Sequence, residues 1–330
     1  MAARTQADPG QAEFARLAGQ YRPELLAYCY RMLGSVQDAE DQVQETLLRA
    51  WRGYDSFEGR SSLRTWLYRI ATNACLRAIE GRPRRPLPAG IGAPGDDPGG
   101  PVGPPAAEVA WLEPFPDALL RPESADPAAV AAARAGLRLA LVAALQQLPA
   151  RQRTVLILRD VLGWRAPEVA ALLGVSVIAV NSALQRARAQ VQRAAPAADE
   201  IREPSSRADQ AILERYAAAV ANADVAALVG LLDEDATFEM PPVPTWFRGP
   251  GDIGRFLAAH VLTTPGRFST VLVAANGQPA LAVYRRGDDG IARAYCVQVL
   301  TLRGSRVAGI VAFRAAGLFP AFGLPPRAAL

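Results

Sequence analysis

The chain has 330 residues, half of them apolar, a formal net charge of +4 and three cysteines. That length exceeds one ordinary core and implies two or three domains. No apolar run approaches the roughly 18 residues of a membrane span; the polar start MAARTQADPGQAEFARL has no secretory h-region; and Cys29, Cys75 and Cys296 lack disulfide or metal spacing. Composition therefore points to a cytoplasmic protein with buried thiols and no membrane contact.

All 36 basic residues are arginine, and they are unevenly placed. Residues 129–195 carry nine arginines against two acids, whereas residues 83–128 carry three against seven. One strongly basic block inside a near-neutral chain suits a polyanion partner.

Residues 11–82 read as helical. In DAEDQVQETLLRAW (Asp38 to Trp51) the phase buries Val43, Leu47, Ala50 and Trp51 and turns Asp38, Asp41, Glu45 and Arg52 outward. The outward face is either a solvated surface or a dock for a basic partner. The next helix, SSLRTWLYRIATNACLRAI, turns Leu63, Trp66, Leu67, Ile70 and Ala74 inward. Arg64, Thr65, Tyr68, Arg69 and Thr72 face outward, with Asn73 at the margin. Arginines interleaved with aromatic and amide groups suit single-stranded DNA, where charge follows the backbone and planar groups hold unstacked bases. A basic helix surface is the plainer alternative.

Residues 83–128 are rich in proline and glycine and read as a disordered or extended linker. Within it WLEPFPDALL (Trp111 to Leu120) is too apolar for a spacer. Residues 129–195 return to helical periodicity. EVAALLGVSVIAVNSALQRAR (Glu168 to Arg188) has the form of a helix-turn-helix: Gly174 supplies the turn and Ser176 the N-cap. Val177, Val180, Leu184, Ala187 and Val191 share the inner face of the second helix. Ile178, Ser182, Gln185, Arg186 and Arg193 share the outer one, flanked by Asn181 and Arg188. Asn, Gln and Arg are the side chains that pair with base edges in the major groove. A solvated face in an ordinary bundle is the competing reading. Beyond residue 207 come one or two helices and then β-rich segments in an expected antiparallel meander, with turns at Asn276-Gly277, RGDDGI and RGSR.

Taken together, DAEDQVQETLLRAW and SSLRTWLYRIATNACL resemble region 2 of the extracytoplasmic-function branch of the sigma-70 family. LQQLPARQRTVLILRDVLGWRAPEVAALLGVSVIAVNSALQRARA resembles region 4 of the same branch. The linker motif and tail resemble a subgroup with a C-terminal SnoaL-like cone. The resemblance implies a multidomain protein: two all-α sigma domains (11–82 and 129–195, the second with the helix-turn-helix), the linker 83–128, and an α+β SnoaL-like domain over 207–325.

It also implies roles. Asp38, Asp41, Gln44 and Glu45 match the face that docks on the clamp helices of the RNA polymerase β′ subunit. Arg64, Trp66, Tyr68, Arg69 and Asn73 match the segment that melts and reads the −10 promoter element, with Trp66 mostly core. Ser176, Asn181, Ser182, Gln185, Arg186 and Arg188 match the helix that reads the −35 element. Gln42, Asn181 and Ala183 depart from the apolar and basic residues common at those positions, so base preference at −35 does not carry over. A cone of this kind has a mouth for a small-molecule ligand, with Glu239, Trp246, His260, Tyr284 and Tyr295 as candidate lining.

The reading is a non-enzymatic sigma factor whose partners are core RNA polymerase and promoter DNA, without cofactor or metal, its activity modulated by the fused domain. The linker motif WLEPFPDALL and the final AGLFPAFGLPP, burying Trp111, Phe115, Phe319 and Phe322, would mediate that control, unless they pack only on the cone itself. Two alternatives stand beside it: a one-component helix-turn-helix regulator with a ligand-sensing domain, and a SnoaL-like isomerase or cyclase with a helical appendage.

Overall fold

The computed structural model describes residues 9–59, 61–120, 136–194 and 207–328, so residues 121–128 of the linker lie outside it. The chain divides into two compact units. The first gathers residues 1–83, 119–136 and 144–194; the second gathers 84–118, 137–143 and 195–330.

The first unit is helical. Helices α1 (Pro9–Gly19), α2 (Arg22–Leu33), α3 (Val36–Arg52) and α4 (Leu63–Ile79) come first. Gly34, at φ 74°, closes α2, and the Ser35 hydroxyl accepts the Asp38 N–H at 3.2 Å to start α3. Ser62 starts α4 in the same way, accepting from Thr65 N–H at 3.1 Å. Every residue of α2 from Leu25 to Leu33 is buried, which makes it the hub of the unit.

The later helices are α5 (Leu139–Gln146), α6 (Ala150–Leu156, continued by a π turn through Val161), α7 (Ala166–Leu173) and α8 (Val177–Ala194). The sequence reads these as a module separate from α1–α4, yet α6, α7, α8 and the end of α5 from Ala144 fall in one unit with α1–α4, while the start of α5 falls in the second. The seam between them is polar and buried. Arg31 of α2 donates Nε–H to the Gly136 carbonyl at 2.9 Å, and burial lowers its pKa to about 10. Gln146 donates Nε2–H to the Arg31 carbonyl at 3.1 Å. Arg153 donates to the carbonyls of Met32, Gln146 and Leu148 and to the Gln146 side chain.

The second unit opens its last stretch with α9 (Arg207–Ala221) and α10 (Val225–Val229), followed by β1 (Leu232–Met240) and β2 (Val243–Arg248). Then come α11 (Pro250–Phe256, continued by a π turn through Val261), β3 (Phe268–Ala275), β4 (Gln278–Arg286), β5 (Ala292–Arg303), β6 (Arg306–Phe313) and the short β7 (Arg327–Ala328). The sheet runs β2-β1-β6-β5-β4-β3, with β7 on β5. The three expected turns join β3 to β4, β4 to β5 and β5 to β6. The expected antiparallel meander needs correction, because β1 joins β6 in parallel. Residues 249–267, including α11, separate β2 from β3, and the β1–β2 hairpin lies beside β6 rather than β3. Helix residues such as Tyr216 and Phe256 share the buried core with Phe238, Leu300 and Ile310 of the sheet.

Residues 84–118 are an ordered strap on this unit. Little regular structure forms there because proline removes backbone donors; some of its hydrogen bonds are made within the strap, such as Leu112 N–H to the Pro86 carbonyl, and others are made to the sheet domain. Gly95 donates N–H to the Trp246 carbonyl at 2.7 Å, and Ala106 to the Pro242 carbonyl at 2.9 Å. A Cβ on Gly95 would stand 3.0 Å from the Phe247 ring, so glycine is what permits that approach. Leu112 and Phe115 of the apolar motif are buried, and Phe115 makes reciprocal contact with the β3–β4 turn: Asn276 N–H donates to its carbonyl at 2.9 Å.

Candidate functional site

Three surfaces and one cavity carry the residues singled out in the sequence. On α3 the buried stripe is Val36, Ala39, Val43, Thr46 and Ala50. Thr46 takes an interior place by returning its hydroxyl to the Gln42 carbonyl at 2.6 Å, and Leu47 and Trp51 are half-buried instead. The outward face presents Asp41 and Gln44 fully exposed and Glu45 half-exposed, the last paired with Arg49 at 2.6 Å. Asp38 is drawn toward Arg82 at 3.4 Å. Leu48 stands in the same phase and is 52% exposed, an apolar side chain amid the acids. Sequence reasoning passed over it, although its spacing of seven from Asp41 and three from Glu45 was the available signal.

On α4 the expectation needs correction at two positions. Tyr68 and Thr72, predicted outward, are completely buried. The Tyr28 and Thr72 hydroxyls are hydrogen-bonded at 2.7 Å, and Tyr68 lies edge-on between Tyr28 at 5.2 Å and Trp164 at 5.5 Å. A single-face amphipathic reading fails here because α4 is covered on two sides, by α2 and by the segment that leads into α7. Burial accordingly pushes the Tyr68 hydroxyl pKa up. Arg69 and Asn73 are exposed. Arg64 is half-buried, held by Glu24 in a two-pronged ion pair at 2.9–3.0 Å and lying over the Tyr68 ring at 5.0 Å. Trp66 is half-buried against Phe57 at 4.9 Å.

Helices α7 and α8 meet at 103°, within the range of a helix-turn-helix. The entry is fixed by a capping box in which Glu168 accepts the Arg165 N–H at 2.7 Å, and the turn by Gly174 at φ 64°. The Ser176 hydroxyl accepts the Ala179 N–H at 3.1 Å and so caps α8. Val180, Leu184 and Ala187 are buried beneath it, whereas Val177, expected inside, is 39% exposed in the first turn, ahead of the packed stripe. Asn181, Gln185 and Arg186 are exposed and Ser182 half-exposed, on one side of the helix. Ile178, 79% exposed, joins them and has the apolar character that contacts a thymine methyl. Arg188 differs: both its Nε and Nη2 are bound to Asp160, at 2.8 and 2.7 Å.

In the second unit a cavity of about 240 Å³ opens among Val102, Phe238, Met240, Phe256, His260, Tyr295, Gln298 and Arg314. Of the predicted lining residues, His260 and Tyr295 are there. Glu239, Trp246 and Tyr284 are not, because each is spent on packing a coil segment. Glu239 accepts the Ala89 N–H at 2.8 Å, Trp246 donates to the Gly92 carbonyl at 2.9 Å, and Tyr284 donates to the Pro325 carbonyl at 3.0 Å. Burial raises the Glu239 pKa, partly opposed by the Ala89 N–H. Phe319 packs on Tyr284 of the same unit, at 5.0 Å. The three cysteines are free and buried, and burial lifts Cys296 to about 12. Among the described residues no group of three or more His, Cys, Asp or Glu could hold a metal ion, and no single helix is long and apolar enough to cross a membrane.

Known proteins place these elements in families. The sigma-70 region 2 model matches residues 17–85, the sigma-70 region 4 model residues 138–191, and the SnoaL-like domain model residues 213–317. The chain is 49% identical over 324 residues to the ECF RNA polymerase sigma factor SigG of Mycobacterium tuberculosis, covering 98% of this chain and 86% of that one. It is 30% identical over 305 residues to SigJ of the same organism, covering 88% of each. The crystal structure of M. tuberculosis SigJ has the same fold, with a TM-score of 0.61 at 24% identity over 94% of this chain and 99% of that one.

Proposed function

This chain belongs to the extracytoplasmic-function family of RNA polymerase sigma factors, and from that premise we propose how its residues divide the work. It directs transcription by RNA polymerase and is not an enzyme, as its relatives are sigma factors. Core polymerase and promoter DNA are its partners. We place this work in the cytoplasm, a reading supported by the free buried thiols. Asp41, Gln44, Glu45 and Leu48 form the face offered to the polymerase clamp, the acids steering a basic partner and Leu48 supplying apolar contact. Arg69 and Asn73 face the melted −10 strand. Gln185 and Arg186 read base edges of the −35 duplex with Asn181, Ser182 and Ile178 beside them, while Ser176 shapes the helix start and Arg188 braces Asp160.

The observation that carries this reading is the exposed polar side of α8, opposite the buried stripe of Val180, Leu184 and Ala187. In vitro transcription with purified core polymerase tests it. Addition of this protein starts promoter-dependent transcripts, and the double variant Gln185→Ala/Arg186→Ala loses them in proportion to the −35 sequence. Each lost base contact is worth about 1–3 kcal/mol, a five- to 150-fold effect. Equal loss on templates with a scrambled −35 element would refute a base-reading role.

We further propose that the C-terminal unit controls region 4 through the strap. Asn276 holds the strap at Phe115 and also the start of α5: its Oδ1 accepts the Phe115 N–H at 2.8 Å, and its Nδ2 donates to the Leu137 carbonyl at 2.7 Å. Gln278 accepts the Leu139 N–H at 2.9 Å. Residues on either side of the region 2 to region 4 connection are thus fastened to one β-turn.

A further inference from the structure

The cavity in the C-terminal unit has a chemistry of its own. At about 240 Å³ it exceeds the roughly 150 Å³ apolar cavity that accepts a benzene ring, so it has room for one ring with a short substituent. Three walls are aromatic: Phe238, Phe256 and Tyr295. No acidic residue lines it, and its one arginine is Arg314. That guanidinium lies 5.7 Å from the Tyr295 ring centre, and Arg285 lies 5.0 Å from the same centre. Two cations therefore draw on one ring, and an anion beside Arg314 would relieve their repulsion. Gln298 lines it too, its Oε1 accepting the Tyr216 hydroxyl at 3.0 Å, which fixes the amide's place in the wall.

From this geometry we propose that the C-terminal unit binds a small aromatic carboxylate, ring between Phe238, Phe256 and Tyr295 and carboxylate at Arg314. Binding, not turnover, is the role, since His260 has no carboxylate beside it in the lining to complete an acid–base pair. Val102 of the strap forms part of the same wall. An occupant therefore packs against the strap a few residues before Ala106, whose N–H is bound to Pro242. Binding here steadies the strap, which gives a ligand a grip on the element that reaches Phe115.

The inference does not depend on promoter recognition, because binding is read directly. Full-length protein is titrated calorimetrically with 3-phenylpropanoate and, separately, with its neutral amide. The acid binds about tenfold or more tightly than the amide. Arg314→Gln weakens the acid to the level of the amide and leaves the amide unchanged. Ala312 of β6 also lines the cavity, and Ala312→Phe, which fills it, abolishes both; Val102→Trp does the same from the strap if the first variant fails to fold. With the acid bound, exchange of the Ala106 amide slows. Absence of acid binding at millimolar concentrations, equal binding of acid and amide, or indifference to Arg314→Gln each overturns the proposal. Any of these leaves core-dependent transcription, measured on the same protein, unaffected.

Discussion

Asn276 offers the sharpest test of how the strap is held. It is fully buried and has φ 58°, a backbone region that favours glycine. Replacing it with glycine keeps that backbone and removes only the side chain. Two partners then lose their bonds: the Phe115 N–H and the Leu137 carbonyl. A buried polar group left unsatisfied costs about 1–3 kcal/mol, so the pair costs about 2–6 kcal/mol if the strap stays in place. If the strap lifts instead, water satisfies the groups, and the cost becomes exposure of the buried Leu112 and Phe115 side chains. Asn276→Ala adds the strain of a Cβ at positive φ, about 1–2 kcal/mol more. The order of stability is therefore wild type, then Asn276→Gly, then Asn276→Ala. Urea denaturation measures the order, and hydrogen exchange at Phe115 and Leu139 measures the release. In transcription the glycine variant has altered promoter output at unchanged core affinity. A glycine variant within about 0.5 kcal/mol of wild type, the scatter expected of neutral surface changes, with unaltered exchange at both amides, refutes the clasp.

Other outcomes follow from the same geometry. Leu48→Glu and Asp41→Arg weaken core polymerase binding without lowering the melting temperature, since both side chains are largely outside the core. Burying a half-exposed leucine at an interface is worth about 1–1.5 kcal/mol, so Leu48→Glu costs roughly tenfold in affinity, read by a fluorescence titration. Burial raises the Glu239 pKa in the folded state, so the folded protein holds this proton more tightly than the unfolded chain. Stability from this group is full below the ordinary value of 4.5 and is lost as pH rises through the raised value, at up to about 1.4 kcal/mol per pH unit. Glu239→Gln, which still accepts the Ala89 N–H, removes that slope and is the more stable protein at neutral pH, as urea midpoints across the range will show.

What the sequence made legible was whatever local periodicity and turn chemistry control. The recognition helix, its Gly174 turn and its Ser176 cap were readable because each depends on neighbours within four residues. The Asn276-Gly277 turn was readable as a hairpin, but its second task was not, since Phe115 and Leu137 are more than a hundred positions away. The strap looked like a spacer because proline and glycine suppress regular elements. Nothing local says that the lost hydrogen bonds are made to a distant sheet. Glu239, Trp246 and Tyr284 were assigned to the cavity because they are the residue types that line one, yet the strap and the C-terminal coil had claimed them. Conversely, Arg314 and Gln298 follow or lie within long apolar strands whose inward phase could be read, but whose mouth position depends on how the sheet curves.

Tyr68 gives the last step. It matches the segment that would hold an unstacked base, and in this arrangement it is wholly enclosed with Trp164 at 5.5 Å. A ring with no exposed surface has none to offer a base, so Tyr68 cannot serve both contacts at once. If it meets DNA, the contact with Trp164 must first part. An equilibrium of that kind moves only for a partner that binds the parted form more tightly. Promoter DNA would gain Tyr68 by that parting, but only at the cost of the ring contact. On the proposed assignment, core polymerase would meet the Asp41–Leu48 face, which is already exposed. That assignment predicts an order: polymerase first, by an open face, and the −10 strand second, by one that has to be uncovered.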